Sequence, residues 1–399
     1  MLSHTHQNNN RAEIITMLTY QTPVELFVET SGSCDGLFQL LDQALATGAR
    51  SLLVLAADAN GFTPEQLDAR LHALPVPVFG GIFPEIIANG QTLRQGSLVC
   101  ALPVTAQVHV VEHLSNPDSD YFAATEALAT HIAPGSTLVT LVDGLSKRIA
   151  ALLESLYEVF GSHCHYIGGG AGSLSFVQKP CIISNQGLLM DCAQITALPL
   201  QVSIGIEHGW HKFAGPFFVT GAYNNTITTL DYQPAFAVYR QVVEADSGKS
   251  FDTDNFFELA KAYPFGLERL TGDVVVRDPL FNEGDKLVCV GEVPANHIIY
   301  ILKGNTENLL SASRQCAAKL HLPDAPPVLG LLFDCISRTL FLQDRFHEEV
   351  DNIRNALPPG VPLAGCLSLG EIADAGNTCL EFFNKTIVLG VLTQAENKA

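Results

Sequence analysis

The sequence predicts an α/β (α+β) fold in which mixed β-sheets carry flanking helices. A strand-helix-strand pattern recurs three times along the chain, and further strand-like segments follow each pattern in pairs. The chain has 399 residues, of which 47% are hydrophobic, so it has the material for a large buried core. We therefore expect internal pseudo-repeats arranged in two halves.

The first copy of the pattern begins with the apolar run SLLVLAAD, which ends at Asp58. The polar stretch FTPEQLDARLHAL follows, and its Thr-Pro-Glu start is typical of a helix N-cap and first turn. VPVFGGIFPE and GSLVCAL then predict two further strands.

The second copy runs from STLVTLVD, ending at Asp143, through the helical stretch SKRIAALLESLYEVF to HCHYIGGGAGS. The later Asn185-Gln186-Gly187 step predicts a hairpin turn. The third copy runs from VLGLLFD, ending at Asp334, through one predicted helix, LFLQDRFHEEVDNIRNAL, to VPLAGCLSLGEI. Before it, FDTDNFFELAKAYPFGLERL predicts either a helix that ends at Pro264 and packs its aromatics into the core, or a ligand wall. GDVVVRDPLFNEGDKLVCVGEVP then predicts strands joined by a turn at residues 282–285.

Glycines occupy the same place in each copy. Gly168–Gly170 correspond to Gly80-Gly81 and Gly365, which predicts a backbone-driven corner between strands. A nucleotide-binding loop would need a helix directly after the glycines, whereas strand-like sequence follows them in every copy. We therefore do not expect a phosphate-binding loop.

The acids at the strand ends have two interpretations. Asp58, Asp143 and Asp334 each follow an apolar strand, at the edge where ligands gather in sheets with crossover helices. They either brace a ligand pocket or cap the next helix. Arg338 lies one helical turn after Asp334, so these two side chains are expected to pair.

Composition excludes several partners. A net charge of −19 disfavours nucleic acid and anionic membranes, since both bind clusters of Lys and Arg. The ten cysteines include no CxxC pair, and the polar N-terminus has no apolar targeting segment, so we expect a reducing, cytoplasmic location. Residues 1–20 are predicted to be a flexible tail. The HCH triplet at 163–165 lacks the further ligands that a metal site needs.

The chain resembles the FIST family of bacterial sensory proteins over nearly its whole length. The resemblance rests on IGGGAGSLS, GIEHGWHKFAG and FVTGAYNNTITTLDYQPAFAVY in one half, and on LLFDCISR and GCLSLGEI in the other. It implies a FIST N-terminal domain at 21–235 and a C-terminal domain at 236–395. The family implies a sensory role in signal transduction and no catalysis.

Two ligand classes follow from the resemblance and stay open. The first is a non-covalently held haem b that senses nitric oxide and regulates a separate histidine kinase or cyclic-dinucleotide enzyme. Its candidate pocket residues are His165, His208, Trp210 and His211. The second is a haem-free sensor of amino acids or another small metabolite. A homo-oligomer is compatible with either, and a Cys or Ser hydrolase is the alternative from another class. The predicted ligand-binding residues near the glycines and the strand ends are Asp143, Gly168, Gly169, Asp334, Arg338 and Glu371.

Overall fold

A computed structural model describes residues 24–269, 272, 274–322, 325–374 and 379–394 of the chain. Mixed sheets with flanking helices confirm the predicted fold class. The predicted N-terminal tail, residues 1–20, lies outside the described residues.

Copy one begins at the first described strand. Its elements are β1 (Glu25–Glu29), α1 (Cys34–Ala46), β2 (Ser51–Ala57), α2 (Pro64–His72), β3 (Val78–Phe83), β4 (Glu85–Ala88), β5 (Gln91–Leu93) and β6 (Ser97–Leu102). Helix α2 has a capping box between Thr63 and Gln66, with Pro64 in its first turn. The predicted helix start is thereby confirmed.

Copy two repeats this order. Its elements are β7 (Gln107–Glu112), α3 (Tyr121–Leu128), β8 (Thr137–Asp143), α4 (Ile149–Phe160), β9 (His165–Ala171), β10 (Ile182–Ser184), β11 (Gly187–Leu189) and β12 (Cys192–Leu198). Strands β10 and β11 pair antiparallel, with Ser184 opposite Gly187. The predicted hairpin turn at Asn185-Gln186 is therefore confirmed.

Copy three is interrupted by a β-rich insertion. It starts with β13 (Leu200–Glu207). We call residues 211–303 the inserted unit, which contains β14 (His211–Tyr223), β15 (Thr226–Leu230), β16 (Gln233–Pro234), α5 (Ala235–Ser247), α6 (Phe256–Ala260), β17 (Phe265–Glu268), β18 (Val274–Arg277), β19 (Pro279–Glu283), β20 (Lys286–Cys289) and β21 (Ile298–Lys303). Copy three resumes with α7 (Thr306–Ala318), β22 (Pro327–Cys335), α8 (Ile336–Leu342), α9 (Phe346–Ala356), β23 (Leu363–Ser368), β24 (Glu371–Asp374), β25 (Leu380–Phe383) and β26 (Ile387–Gln394).

Two predicted helices differ from the structure. The single helix predicted over residues 340–357 is two helices, α8 and α9, because Gln343 takes a left-handed φ of 51° that a continuous helix does not allow. The helix predicted to end at Pro264 is only α6, five residues long. There the aromatic side chains of Phe251, Phe256 and Tyr239 pack against one another. The helix is short because this tertiary packing outweighs helical propensity.

Three sheets share one architecture. In each, a parallel pair from a strand-helix-strand unit (β2–β3, β8–β9 or β22–β23) is flanked by two antiparallel strands on one side. On the other side lies a hairpin that another copy supplies. Hairpin β4–β5 of copy one pairs with β23, β10–β11 of copy two with β3, and β24–β25 of copy three with β9. This cyclic exchange covers an edge of each parallel pair that would otherwise expose unpaired backbone groups.

The exchange also joins the predicted halves. Three of the four sheets in the described part of the chain contain strands from both sides of residue 235, and the fourth lies before it. Strand β13, for example, pairs along its whole length with β26. The copies and the inserted unit therefore share sheets across the sequence boundary.

The predicted glycine corners are wrong, since the glycines lie inside strands β3, β9 and β23. A Cβ atom at Gly80 would lie 1.8 Å from the carbonyl oxygen of Val54, and one at Gly168 would lie 1.8 Å from that of Thr140. A Cβ atom at Gly365 would likewise lie 2.6 Å from the carbonyl oxygen of Leu332. Close approach of the neighbouring parallel strand accounts for the glycine at this place in every copy.

Candidate functional site

A cavity of about 940 Å³ lies at the carboxyl ends of β8 and β22, which we call the strand-end cavity. Three parts of the chain line it: copy two, copy three and the inserted unit. This is the sheet edge at which ligands collect in folds with crossover helices, and its size is at the upper end for small-molecule sites.

The copy-two wall consists of the start of α4 and a loop after β9. The loop that leads into α4 contributes Gly144, Leu145, Ser146 and Lys147, and the loop after β9 contributes Leu174 and Phe176. The β9 loop is held at both ends, because Ser173 Oγ donates to Asp58 Oδ2 at 2.6 Å and Gln178 Nε2 donates to Asp143 Oδ2 at 2.7 Å. Between these anchors Phe176 is 54% exposed. The loop therefore presents apolar side chains at the cavity from a fixed position.

The remaining walls are mostly apolar. Their apolar and cysteine members are Phe257, Leu280, Phe281, Cys289, Val290, Cys335, Ile336, Leu340, Leu369 and Phe382. The polar side chains of these walls are Asn224, Asn225, Arg277, Asp278, Glu292, Ser337 and Asn384. An apolar lining with a few buried polar groups is typical of a site for a small organic ligand.

Asp278 is the most buried acid of the cavity lining, at 1% exposure. Its Oδ2 atom lies 3.0 Å from Lys385 Nζ and accepts a hydrogen bond of 3.0 Å from Ser337 Oγ. Burial raises the pKa of Asp278, and the charge of Lys385 opposes that rise. The Oδ1 atom is buried without a hydrogen-bond partner.

Asn384 gives the cavity a second unpaired acceptor. The residue is 2% exposed, and its Nδ2 atom donates to the carbonyl oxygen of Phe383 at 3.0 Å. Its Oδ1 atom is buried without a partner. Buried polar atoms are paired in almost all native structures, so two unpaired acceptors on residues of the cavity wall point to a missing donor.

Arg277 also lines the cavity, but its Nε and Nη1 donors are engaged, and its Nη2 atom faces Glu381 Oε2 at 3.9 Å. Its Nε atom donates to the carbonyl oxygen of Glu292 at 2.9 Å, and its Nη1 atom donates to those of Val276 and Phe382, each at 3.1 Å. Burial lowers the pKa of Arg277, against the effect of the nearby Glu381 carboxylate. This arginine therefore ties the inserted unit to β25.

The three strand-end acids have three different environments, and none of them lines the cavity. Asp58 is half-buried and forms an ion pair with Lys179. Asp143 is buried and accepts from the backbone N–H of Leu145 at 3.1 Å and of Asp191 at 2.8 Å. Asp334 is fully buried, and the structure brings it together with Arg338, as the sequence predicted: Asp334 Oδ1 lies 3.4 Å from Arg338 Nε.

Arg338 is the centre of a buried cluster behind the cavity wall. It donates to both carboxylate oxygens of Glu349, at 2.9 and 2.5 Å, and to the backbone carbonyl oxygens of His208, Leu309 and Lys385. Glu371 is buried beside this cluster, where Ser368 Oγ donates to it at 2.7 Å. Burial raises the pKa of Glu371 to about 8. These groups support the wall and do not line the cavity.

The other predicted ligand-binding residues, Gly168 and Gly169, also lie outside the cavity lining. They pair with Ile372 and Glu371 of β24. A Cβ atom at Gly168 would meet β8, whereas one at Gly169 would lie 3.0 Å from the carbonyl oxygen of Gly370, which directly precedes β24.

The predicted haem residues do not come together at the cavity. His165 begins β9, so it lies at the opposite end of the strand from the cavity, about 20 Å away at about 3.3 Å per residue. His208 Nδ1 accepts from the N–H of Trp210 at 2.9 Å, and the indole of Trp210 donates to the carbonyl oxygen of Lys385 at 3.3 Å. His211 is exposed at the start of β14.

The donor set of the cavity does not fit haem. In the part of the chain that the structure describes, no His, Met or Tyr side chain lines the cavity. Burial raises the pKa of both lining thiols, Cys289 and Cys335, and so disfavours the thiolate that would bind iron. Across the described ranges, no group of three or more His, Cys, Asp or Glu side chains could hold a metal ion.

Sequence reasoning missed Asp278, Ser337 and Asn384. The available signal was a polar residue next to or inside an apolar run, as in VVVRDP and FFNKTIVLGVL. Such residues are buried by their neighbours and need a partner.

Two family models match the chain. Residues 37–233 match the FIST N domain, and residues 235–374 match the FIST C domain. No curated protein matches the chain. FIST domains are sensory domains that detect small ligands in signal transduction. None of the helices formed by the described residues is long and apolar enough to span a membrane.

Proposed function

Because the chain belongs to the FIST family, we propose that it is a signal-transduction sensor that binds a small organic metabolite, without haem, in the strand-end cavity. The cavity carries this proposal: an apolar space of about 940 Å³ with two buried, unpaired acceptors in its wall.

The position of the cavity suits a sensor. Its walls come from copy two, copy three and the inserted unit, so a bound ligand would contact all three. A ligand that binds better to one arrangement of these parts than to another shifts the population between arrangements. Nitric oxide sensing through haem and the regulation of a histidine kinase or cyclic-dinucleotide enzyme stay predictions.

The test is binding of a metabolite library, followed by thermal unfolding of the wild type and of Leu340→Trp. Leu340 lines the cavity, so an indole there is expected to project into the space that a ligand would occupy. A true ligand at 100 times its Kd stabilises the wild type by about 2.7 kcal/mol. We expect Leu340→Trp to abolish that gain.

Leu322→Trp is the matched control, because Leu322 is exposed and lies outside the cavity lining. This control should respond to the ligand as the wild type does. Equal ligand responses in Leu340→Trp and the wild type would place binding elsewhere and contradict the proposal. A Soret band that appears on haem reconstitution and shifts with nitric oxide would favour the haem sensor instead.

A further inference from the structure

The unpaired oxygens of Asp278 and Asn384 belong to one polar cluster. Asn384 directly precedes Lys385, whose Nζ atom lies 3.0 Å from Asp278 Oδ2. Asp278 sits between β18 and β19 of the inserted unit, whereas Asn384 sits in the turn between β25 and β26 of copy three. Two parts of the fold thus each contribute one buried acceptor to the cavity.

The neighbouring side chains do not satisfy these acceptors. Ser337 gives its hydroxyl proton to the other oxygen of Asp278. Lys385 Nζ donates to the carbonyl oxygen of Lys261 at 3.1 Å as well as pairing with Asp278, and it lies 5.1 Å from the centre of the Trp210 ring. The Nε and Nη1 donors of Arg277 are held by three backbone carbonyl groups, and its Nη2 atom lies 3.9 Å from Glu381 Oε2.

The assignment of the Asn384 oxygen follows from its other contact. Its amide group lies beside the carbonyl oxygen of Phe383, which can only accept, so the NH₂ end must face that oxygen. The carbonyl end of the amide is then the unpaired one, and both free atoms in the cluster are acceptors. A buried acceptor without a donor costs about 1–3 kcal/mol.

Resting on the proposed function, we infer that the ligand carries a nitrogen with at least two N–H donors, a primary ammonium or a primary amide, at one end of an apolar body. The nitrogen satisfies the Oδ1 atoms of Asp278 and Asn384. The apolar body packs against Phe257, Leu280 and Leu340. An ammonium forms the stronger, charge-assisted bond to Asp278, whereas an amide avoids repulsion from the nearby Arg277 and Lys385.

The experiment is calorimetric titration of the full chain with matched probes on phenyl and hexyl bodies. For the phenyl body these are 2-phenylethylamine, 3-phenylpropanamide and methyl 3-phenylpropanoate. We expect the amine or the amide to bind at least tenfold more tightly than the ester, which has no N–H. Tighter binding of the amine would indicate a charged head group, and tighter binding of the amide would indicate a neutral one.

Asn384→Leu tests the residue itself, since it removes one acceptor and leaves the Asp278–Lys385 pair in place. We expect the nitrogen probes to lose most of their advantage over the ester in this variant. Asn282→Leu, in β19 and outside the cavity lining, should keep that advantage. If Asn384→Leu does not fold, the affinities of the wild type for the amide and the ester still show whether N–H donors are needed.

Two failures are distinguishable. Equal affinity for ester and nitrogen probes overturns the inference, with ordered water then supplying the donors, but leaves the cavity as a ligand site. Failure of every probe to bind, together with no library ligand sensitive to Leu340→Trp, overturns the proposed function as well.

Discussion

Asp143 and Asp334 end equivalent strands in copies two and three, but the two strand ends are stabilised in different ways. Asp143 receives hydrogen bonds from two backbone N–H groups and from Gln178. Asp334 has no hydrogen-bond partner for either carboxylate oxygen and depends on its ion pair with Arg338. The acid at this repeat position therefore accepts hydrogen bonds from neutral donors in one copy and belongs to a buried cluster around an arginine in the other.

The two copies hold their parts of the cavity wall in different ways. In copy two, Asp143 fixes one end of the β9 loop through Gln178, so the carboxylate helps to hold a cavity wall without a cation. In copy three, the carboxylates of Asp334, Glu349 and Glu371 lie around one guanidinium group. Removing that cation should therefore have the largest effect in this part of the protein.

We expect Arg338→Met to destabilise the protein by about 3–5 kcal/mol, since it leaves buried carboxylates without their cation. Arg338 is fully buried and bonds to Glu349 and to three backbone carbonyl oxygens. Equilibrium denaturation in urea measures the loss.

The matched control is Arg345→Met. Arg345 forms ion pairs with Glu307 and Glu348, but these charges lie at the surface, where pairs contribute little. A similar loss of unfolding free energy in both variants would show that burial does not make the Arg338 cluster more stabilising than a surface ion pair.

A second prediction uses the pH dependence of the copy-three cluster. Burial raises the pKa of Glu371 from 4.5 to about 8, so the folded state holds this proton more tightly than the unfolded state. The resulting stability is complete below pH 4.5 and is lost as the pH rises towards 8. We expect Glu371→Gln to reduce that loss by up to about 4 kcal/mol, at about 1.4 kcal/mol per pKa unit.

The measurement is urea denaturation at a series of pH values between 4.5 and 8. Glu283→Gln, at an exposed hairpin end, is the control and should keep the wild-type pH profile. Burial also raises the pKa of Asp334, so Glu371→Gln should still lose some stability as the pH rises. An unchanged profile in Glu371→Gln would contradict an uncharged Glu371 in the folded protein.

The sequence predicted local features better than long-range ones. The strand-helix-strand copies followed from periodicity and caps. The Asp334–Arg338 pair was expected from helical spacing and does form, but Asp334 lies in β22 and only Arg338 lies in α8. The hairpin exchange could not be foreseen, because it pairs Ala88 with Ala364 and no local pattern specifies such distant partners. Asp278 and Asn384 were missed for the same reason: the fold brings together two polar residues that are ordinary in their own segments.

The last prediction compares one substitution at the two equivalent strand ends. Asp143→Asn exchanges one acceptor oxygen for an NH₂ group facing donors, so we expect a loss of about 1–2 kcal/mol. Asp334→Asn replaces a carboxyl group whose charged form burial and Glu349 both disfavour, so it should cost less than Asp143→Asn. Urea denaturation at neutral pH measures both variants. Equal losses in the free energy of unfolding would mean that Arg338 needs the charge of Asp334 as much as that of Glu349. The two copies would then differ in geometry and not in electrostatics.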